Sequence, residues 1–175
     1  VQAAGDDARR AGVIWIAMRA FIGLSDLLLM LGRYEEAVRT VDEGVTLATE
    51  AGMARAAGAF LRGNKVEALL RSGRWQEAMA CAEVGAEGAG VFAGMLLSLR
   101  AELHALAGRR TEAQGDLREA RRHLRNSSAA QWMLPLAVIE AELARSSGEL
   151  DAAREIIERA LARDDAGAEQ RYAWP

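Results

Sequence analysis

The chain has 175 residues, of which 51% are hydrophobic, and its 22 basic and 25 acidic residues give a net charge of −3. This slightly acidic balance argues against a nucleic-acid-binding domain, which usually carries a basic patch and a high pI. A single cysteine, Cys81, excludes a disulfide framework and a cysteine metal cluster, so we expect it to pack as a small apolar residue.

A short motif recurs four times along the chain, and each copy has a glycine followed five residues later by an alanine. The glycine can adopt the left-handed conformation that ends a helix, and the acids after it suit the positive end of the next helix. Each copy therefore predicts the bend of an antiparallel helix hairpin, and repeats of this length predict a stack of hairpins. The glycines are Gly32, Gly73, Gly108 and Gly148, at intervals of 41, 35 and 40 residues.

The first hairpin is predicted to pair helices over residues 7–31 and 34–51, with Gly52 ending the second helix. Apolar residues three or four positions apart mark the face of each helix that we expect to point inward. In the first helix these residues are Ile14, Met18, Phe21, Leu24 and Leu28, and in the second they are Ala37, Val41, Val45 and Ala48.

Three further hairpins are predicted to pair residues 54–72 with 75–86, 93–107 with 111–124, and 130–147 with 150–162. Pro135 is expected in or near the first turn of its helix, where a missing N–H is tolerated. The apolar spacing also places three tryptophans in the core, namely Trp15, Trp75 and Trp132.

Small residues recur twelve positions after each turn glycine, namely Gly44, Gly85, Ala120 and Ala160. Such residues let one hairpin pack closely on the next, so Gly44→Leu or Ala37→Trp is predicted to destabilise the fold by overpacking. We therefore predict a single all-α domain over residues 1–175, a right-handed superhelix of stacked antiparallel helix hairpins. Residues 168–175 resemble the first turns of a further helix, which predicts a fragment of a longer chain whose open end can self-associate end to end.

The sequence contains no pattern of catalytic, metal or cofactor residues. His104 and His123 are nineteen positions apart, whereas a zinc site needs three or four converging ligands, so both are expected on helix surfaces or half-buried. Glu102 and His104 are two positions apart and point to different sides of a helix, which argues against a catalytic pair. We expect a non-enzyme without cofactors.

The start of the chain is not an export signal, and the uncharged run 88–99 is too short to span a bilayer, so a cytoplasmic protein without membrane contact is expected.

The turn motifs resemble the tetratricopeptide repeat, in which a glycine, an aromatic residue and an alanine mark the hairpin bend. Tyr34 and Trp75 match the aromatic position, whereas Arg110 and Leu150 do not. The longer intervals, and phrases such as those at 24–28, 62–70 and 171–175, look more like the divergent repeats of ATP-dependent LuxR-type (MalT-like) bacterial transcription regulators.

This resemblance implies a sensing or relay segment that lies between an ATPase module and a DNA-binding module. Neither module is found in the sequence, so the segment itself is expected to contact no nucleic acid. It would receive a protein or a small effector in the concave groove of the repeats. A free-standing scaffold that joins two proteins in some other pathway is the alternative, and an enzyme is disfavoured because no acid–base or nucleophile constellation is found.

An acidic residue stands six positions before each turn glycine, namely Asp26, Glu67, Glu102 and Glu142. By analogy with tetratricopeptide domains, this position on the first helix of each hairpin faces the concave groove. The acids could form a negative stripe that attracts a basic peptide or cationic ligand. They could instead form salt bridges between hairpins, with arginines such as Arg33, Arg62, Arg74, Arg100 or Arg109. We favour the structural role because a position that recurs in every copy is usually part of the scaffold.

Overall fold

The computed structural model describes residues 2–54, 57–86, 90–127 and 129–162, without the side chains of 2–11, 85–86 and 130. These residues form eight α-helices and no β-strand, which confirms the all-α prediction. The helices are α1 (Gln2–Met30), α2 (Tyr34–Glu50), α3 (Ala57–Arg71), α4 (Trp75–Ala86), α5 (Val91–Leu106), α6 (Arg110–Leu124), α7 (Ala130–Ser146) and α8 (Leu150–Leu161). The predicted start of a further helix at 168–175 lies outside the described residues.

All four turn glycines have the left-handed conformation expected at the end of a helix, with φ between 69° and 80°. At the first turn, Gly32 N–H donates to the Leu29 carbonyl at 3.0 Å and Arg33 N–H donates to the Leu28 carbonyl at 2.9 Å. This pair of bonds is the Schellman pattern that closes a helix. The Arg33 carbonyl then accepts from Ala37 N–H at 3.0 Å, so one residue ends α1 and begins α2. The other three turns repeat the same bonds.

An ion pair braces each of the first two turns. Arg33 binds both carboxylate oxygens of Glu36 at 2.6 Å, and Arg74 binds those of Glu77 at 2.7 and 2.8 Å. These bonds hold the pKa of Glu36 and of Glu77 below the ordinary range. Arg74 also reaches Glu35 at 3.1 Å, which ties the second turn to the first. The Gly-Arg-aromatic-x-Glu motif thus encodes both the backbone bend and its side-chain brace.

The chain divides into two compact units, residues 1–81 and 82–175, so the single predicted domain stays a prediction. In the first unit, α3 packs against both α1 and α2. Met18, Ala48 and Ala57, one from each helix, form a buried cluster. The Asn64 side-chain amide of α3 donates to the Ser25 hydroxyl of α1 at 2.9 Å, and both side chains are buried. The hairpin of α1 and α2 therefore receives the first helix of the next hairpin.

In the second unit, α5 packs most extensively against α6, α7 packs on both of them, and α8 pairs with α7. The core joins nine buried residues, namely Leu97, Ala101, Ala113, Leu117, Ala120, Leu124, Leu136, Ile139 and Leu143. The repeated alanine is fully buried in three of the four copies, whereas Ala153 in α8 is half-buried. Pro135 is the sixth residue of α7 and lies in its second turn, near the first turn as predicted.

Three predicted core residues are wrong. Leu24 is 48% exposed, and Trp15 and Trp75 are each 49% exposed, whereas Trp132 is half-buried against the core of the second unit as predicted. The apolar residues of α1 are distributed over several sides of the helix, so their spacing does not show which face points inward. Trp75 is the first residue of α4, and side chains in a helix lean toward its N-terminus, so the helix itself offers little cover for this ring.

Residues Gly12–Met30 of α1 are long and apolar enough to cross a membrane, with a mean hydropathy of 1.8 over the segment. This is the one such segment within the described helices, and 17% of it is buried.

Candidate protein-binding groove

The second unit contains an open groove of about 760 Å³ between α5, α7 and α8. Its floor is aliphatic and includes Leu106 of α5, Val138 and Ile139 of α7, and Ala153 and Ile157 of α8. This volume lies within the usual range for ligand sites, about 300–1,000 Å³. The groove exists because α7 packs on α5 at one side and on α8 at the other, which leaves a concave surface over all three helices.

Two of the four predicted site residues, Glu102 and Glu142, line this groove together. Glu102 is half-buried on α5 and Glu142 is exposed on α7, each six residues before its turn glycine. Arg145 binds Glu142 at 2.6 and 2.7 Å on the same helix, and this bond holds the pKa of Glu142 below the ordinary range. The rim therefore combines carboxylates with a paired guanidinium.

Asp26 and Glu67, the other two predicted site residues, lie half-buried on α1 and α3 of the first unit. Several of the arginines proposed as structural partners bind other carboxylates. Arg33 binds Glu36, Arg74 binds Glu35 and Glu77, and Arg100 binds Asp116. Whether the four acids serve structure or binding stays a prediction.

The remaining charged side chains of the groove are Arg154 and Glu158 of α8, and Arg154 Nε lies 3.8 Å from Glu158 Oε1. All side chains that line the groove are aliphatic, carboxylate or guanidinium groups. Such groups bind apolar side chains and pair with charges, and the lining includes no serine, cysteine or histidine nucleophile. The arrangement is suited to recognition of a partner.

A buried charge cluster at the α5–α6 contact was not predicted. Arg100 donates to both carboxylate oxygens of Asp116 at 2.6 and 2.7 Å, and Asp116 is only 8% exposed. His104 Nε2 lies 3.6 Å from the same carboxylate, and burial lowers the pKa of His104, with nearby Arg109 adding to the effect. The sequence could have indicated this pair, because an arginine and an aspartate of one hairpin both stand on helix faces that otherwise carry core residues.

The remaining chemically reactive side chains are partly enclosed. His104 and His123 are both half-buried, as predicted. Cys81 is also half-buried, and burial raises the pKa of its thiol, so the thiol stays protonated near neutral pH. Among the described residues, no three His, Cys, Asp or Glu side chains are grouped in a way that could hold a metal ion.

The eight helices and their repeated turns define an all-helical repeat protein. The family model described as tetratricopeptide repeat matches residues 18–43 and 112–126, so the chain contains tetratricopeptide-like repeats. Repeats of this family typically bind protein partners and are generally non-catalytic. No curated protein matches the chain, and no solved structure matches it either.

Proposed function

We propose that this chain is a protein-interaction module that holds a partner segment in the groove of α5, α7 and α8. The observation that carries the proposal is an open aliphatic floor beside Glu102 and Glu142. An apolar stripe of the partner would cover Val138 and Ile157, and its lysines or arginines would pair with the two acids. Burial of the aliphatic floor would favour binding, while the acids would orient the partner.

The same repeat position carries Asp26 and Glu67 in the first unit. We propose these two acids as further contacts for a basic partner segment. Neutralising Glu67 and Glu102 together separates the two roles of the acids. If the double variant keeps its stability but loses binding, the acids belong to the binding surface. If it loses stability without any change in binding, they belong to the scaffold.

The direct test of the groove uses a synthetic amphipathic helical peptide with leucines three and four positions apart, flanked by lysines. Fluorescence anisotropy should show binding that weakens as salt is raised, because exposed charge pairs are screened. A variant with Glu102→Gln and Glu142→Gln should bind more weakly, whereas Glu155→Gln, on α8 outside the groove lining, should bind like the parent. Equal binding of a peptide with glutamates in place of its lysines would refute the role of the acids.

We propose that this module is the sensing or relay segment of a cytoplasmic bacterial LuxR-type regulator. The segment would bind a protein or a small effector, and another module of the regulator would contact the DNA. The phrases at 24–28 and 62–70 support this assignment. A free-standing scaffold that joins two proteins agrees with the repeats at least as well. The complete gene distinguishes them, because a phosphate-binding loop upstream and a helix-turn-helix downstream would identify the regulator.

A further inference from the structure

The outer side of α6 carries Arg118, Arg122 and Arg125, hereafter the α6 arginine row. These positions are four and three residues apart, so they share one side of the helix over about 10 Å. All three residues are exposed, whereas Leu117 and Leu124 of the same helix are buried in the core of the second unit. In that unit α5 precedes α6, and α7 and α8 follow it, so the row is exposed in the presence of helices on both sides along the chain.

The repeats carry the opposite charge at the position of Arg118. Ten residues after the turn glycine, the other three hairpins have acids, namely Asp42, Glu83 and Glu158. The third hairpin alone has a cation there. Either the reversed charge serves the packing of this hairpin, or it serves a partner that binds only here.

Packing against the next helix does not account for Arg118. In the first unit Asp42 forms an ion pair with Lys65 of α3, and the residue of α7 that corresponds to Lys65 is Glu140. A cation at position 118 could therefore reverse this pair. The structure gives Glu140 a different partner, because Arg121 donates to both of its carboxylate oxygens. Within the described part of the chain, Arg118 forms no ion pair.

The helix dipole does not account for the row either. Cations are favoured in the last turn of a helix, and the effect falls off beyond that turn. Arg118 lies before the last turn of α6. The last turns of α2 and α4 have no basic residue, so a hairpin of this fold does not need a basic helix end. Among the described residues, Arg122 pairs with Glu119 of its own helix, whereas Arg125 has no such partner.

We propose that the α6 arginine row is a second docking surface of this protein, and that its partner is an acidic segment of another protein. A guanidinium group binds a carboxylate through two parallel bonds, as Arg100 binds Asp116 in this chain. A helical segment with acids three and four positions apart would match the spacing of the row. No residue of α6 lines the groove of α5, α7 and α8, so both surfaces can be occupied at once.

The observations favour an acidic protein segment over a nucleic acid or a membrane. The helix has no phenylalanine, tyrosine or tryptophan on which a base could stack. Its exposed residues are all polar, so α6 has no apolar side chain that could enter a lipid surface. The net charge of −3 gives no long-range attraction to a polyanion. What the row supplies is short-range pairing with a few carboxylates.

Fluorescence anisotropy tests the proposal with a labelled alanine-rich helical peptide whose glutamates are four and three positions apart. The parent chain should bind this peptide, and added salt should weaken the binding. A variant with Arg118→Gln and Arg125→Gln should bind about tenfold more weakly, because each exposed ion pair contributes up to about fivefold in affinity. The matched control is Arg39→Gln with Arg159→Gln, which removes the same charge from exposed positions of α2 and α8 and should bind like the parent.

Further measurements separate the alternatives. The variant with Arg118→Gln and Arg125→Gln should keep the urea midpoint of the parent, and a lower midpoint with unchanged peptide binding would overturn the proposal in favour of a structural role. Equal binding of a peptide with glutamines in place of its glutamates would overturn it outright. Tighter binding to oligothymidylate or to phosphatidylglycerol vesicles, weakened in the same variant, would overturn it in favour of a nucleic acid or a membrane. Glu102→Gln with Glu142→Gln should leave binding of the acidic peptide unchanged, which keeps this test independent of the groove.

Discussion

Replacing Gly44 with alanine should destabilise the first unit, although alanine favours helices. Gly44 is buried in the middle of α2, where α1 and α3 both approach it. A Cβ built there would lie 2.8 Å from Leu61 Cδ1 and 3.0 Å from Phe21 Cβ. The leucine methyl can move by rotation of its side chain. The Phe21 Cβ is fixed to the α1 backbone, so the helix itself would have to shift.

The magnitude follows from two opposing effects. Gly→Ala in a helix interior gains about 1 kcal/mol in helix propensity. An added carbon in a closely packed core costs about 1–3 kcal/mol, and this site belongs near the upper end because a backbone must move. We therefore expect a net loss of about 1–2 kcal/mol. In a chain of this size each kcal/mol lowers Tm by about 2–4 °C.

Urea unfolding monitored by circular dichroism measures the change, and Gly115→Ala is the matched control. Gly115 also lies in the middle of a helix, α6, but the nearest atom to its Cβ would be Arg118 Nη2 at 4.0 Å. The control variant should therefore gain about 1 kcal/mol from helix propensity alone. If Gly44→Ala raised the free energy of unfolding as much as Gly115→Ala does, the inferred contact between α2 and its two neighbours would be wrong.

Three other substitutions test separate features of the chain. Gly32→Ala should cost about 1–2 kcal/mol in urea unfolding, because Gly32 has φ of 69° and other residues are strained there. Asp116→Ala should cost about 2–4 kcal/mol by leaving Arg100 without its bidentate partner, and replacing both by apolar residues should cost less than that. His104 has a folded-state pKa below its ordinary value of 6.5, because burial disfavours the charged form. Its contribution to stability is therefore complete above pH 6.5 and is lost as the pH falls from there toward the folded-state pKa. His104→Gln should remove this slope from a series of unfolding measurements, and a slope that persists would assign it to another group.

The helices and their turns could be predicted because each depends on neighbours in the sequence. A glycine at the end of an apolar helical segment closes that helix through backbone bonds to residues three to five positions earlier, as at Gly32 and Gly148. The start of α2 at Tyr34 and of α8 at Leu150 follows from the same turns. The largest boundary difference is at the beginning of α1, where no turn motif marks the first residue.

The groove could be predicted only in part. The offset from the turn glycine placed Glu102 and Glu142 on the first helices of their hairpins, and both do line the groove. The offset could not show that Arg145 binds Glu142, because this bond depends on side-chain conformation within α7. It also could not show that α8 contributes Ile157 to the floor. The position of Ile157 in the groove depends on how α8 packs against α7.

The contacts between hairpins escaped prediction for a different reason, which the position of Leu24 illustrates. Eight residues before the turn glycine, α3 carries Lys65, which binds Asp42 of the preceding helix. The same position in α7 carries Glu140, which binds Arg121 of the preceding helix. The sign of the charge reverses between the two hairpins, so a search for one residue type at a fixed offset finds nothing. What these two hairpins share is an ion pair with the preceding helix. Leu24 stands at this position in α1, so the position carries a cation, an anion or an apolar residue in different hairpins.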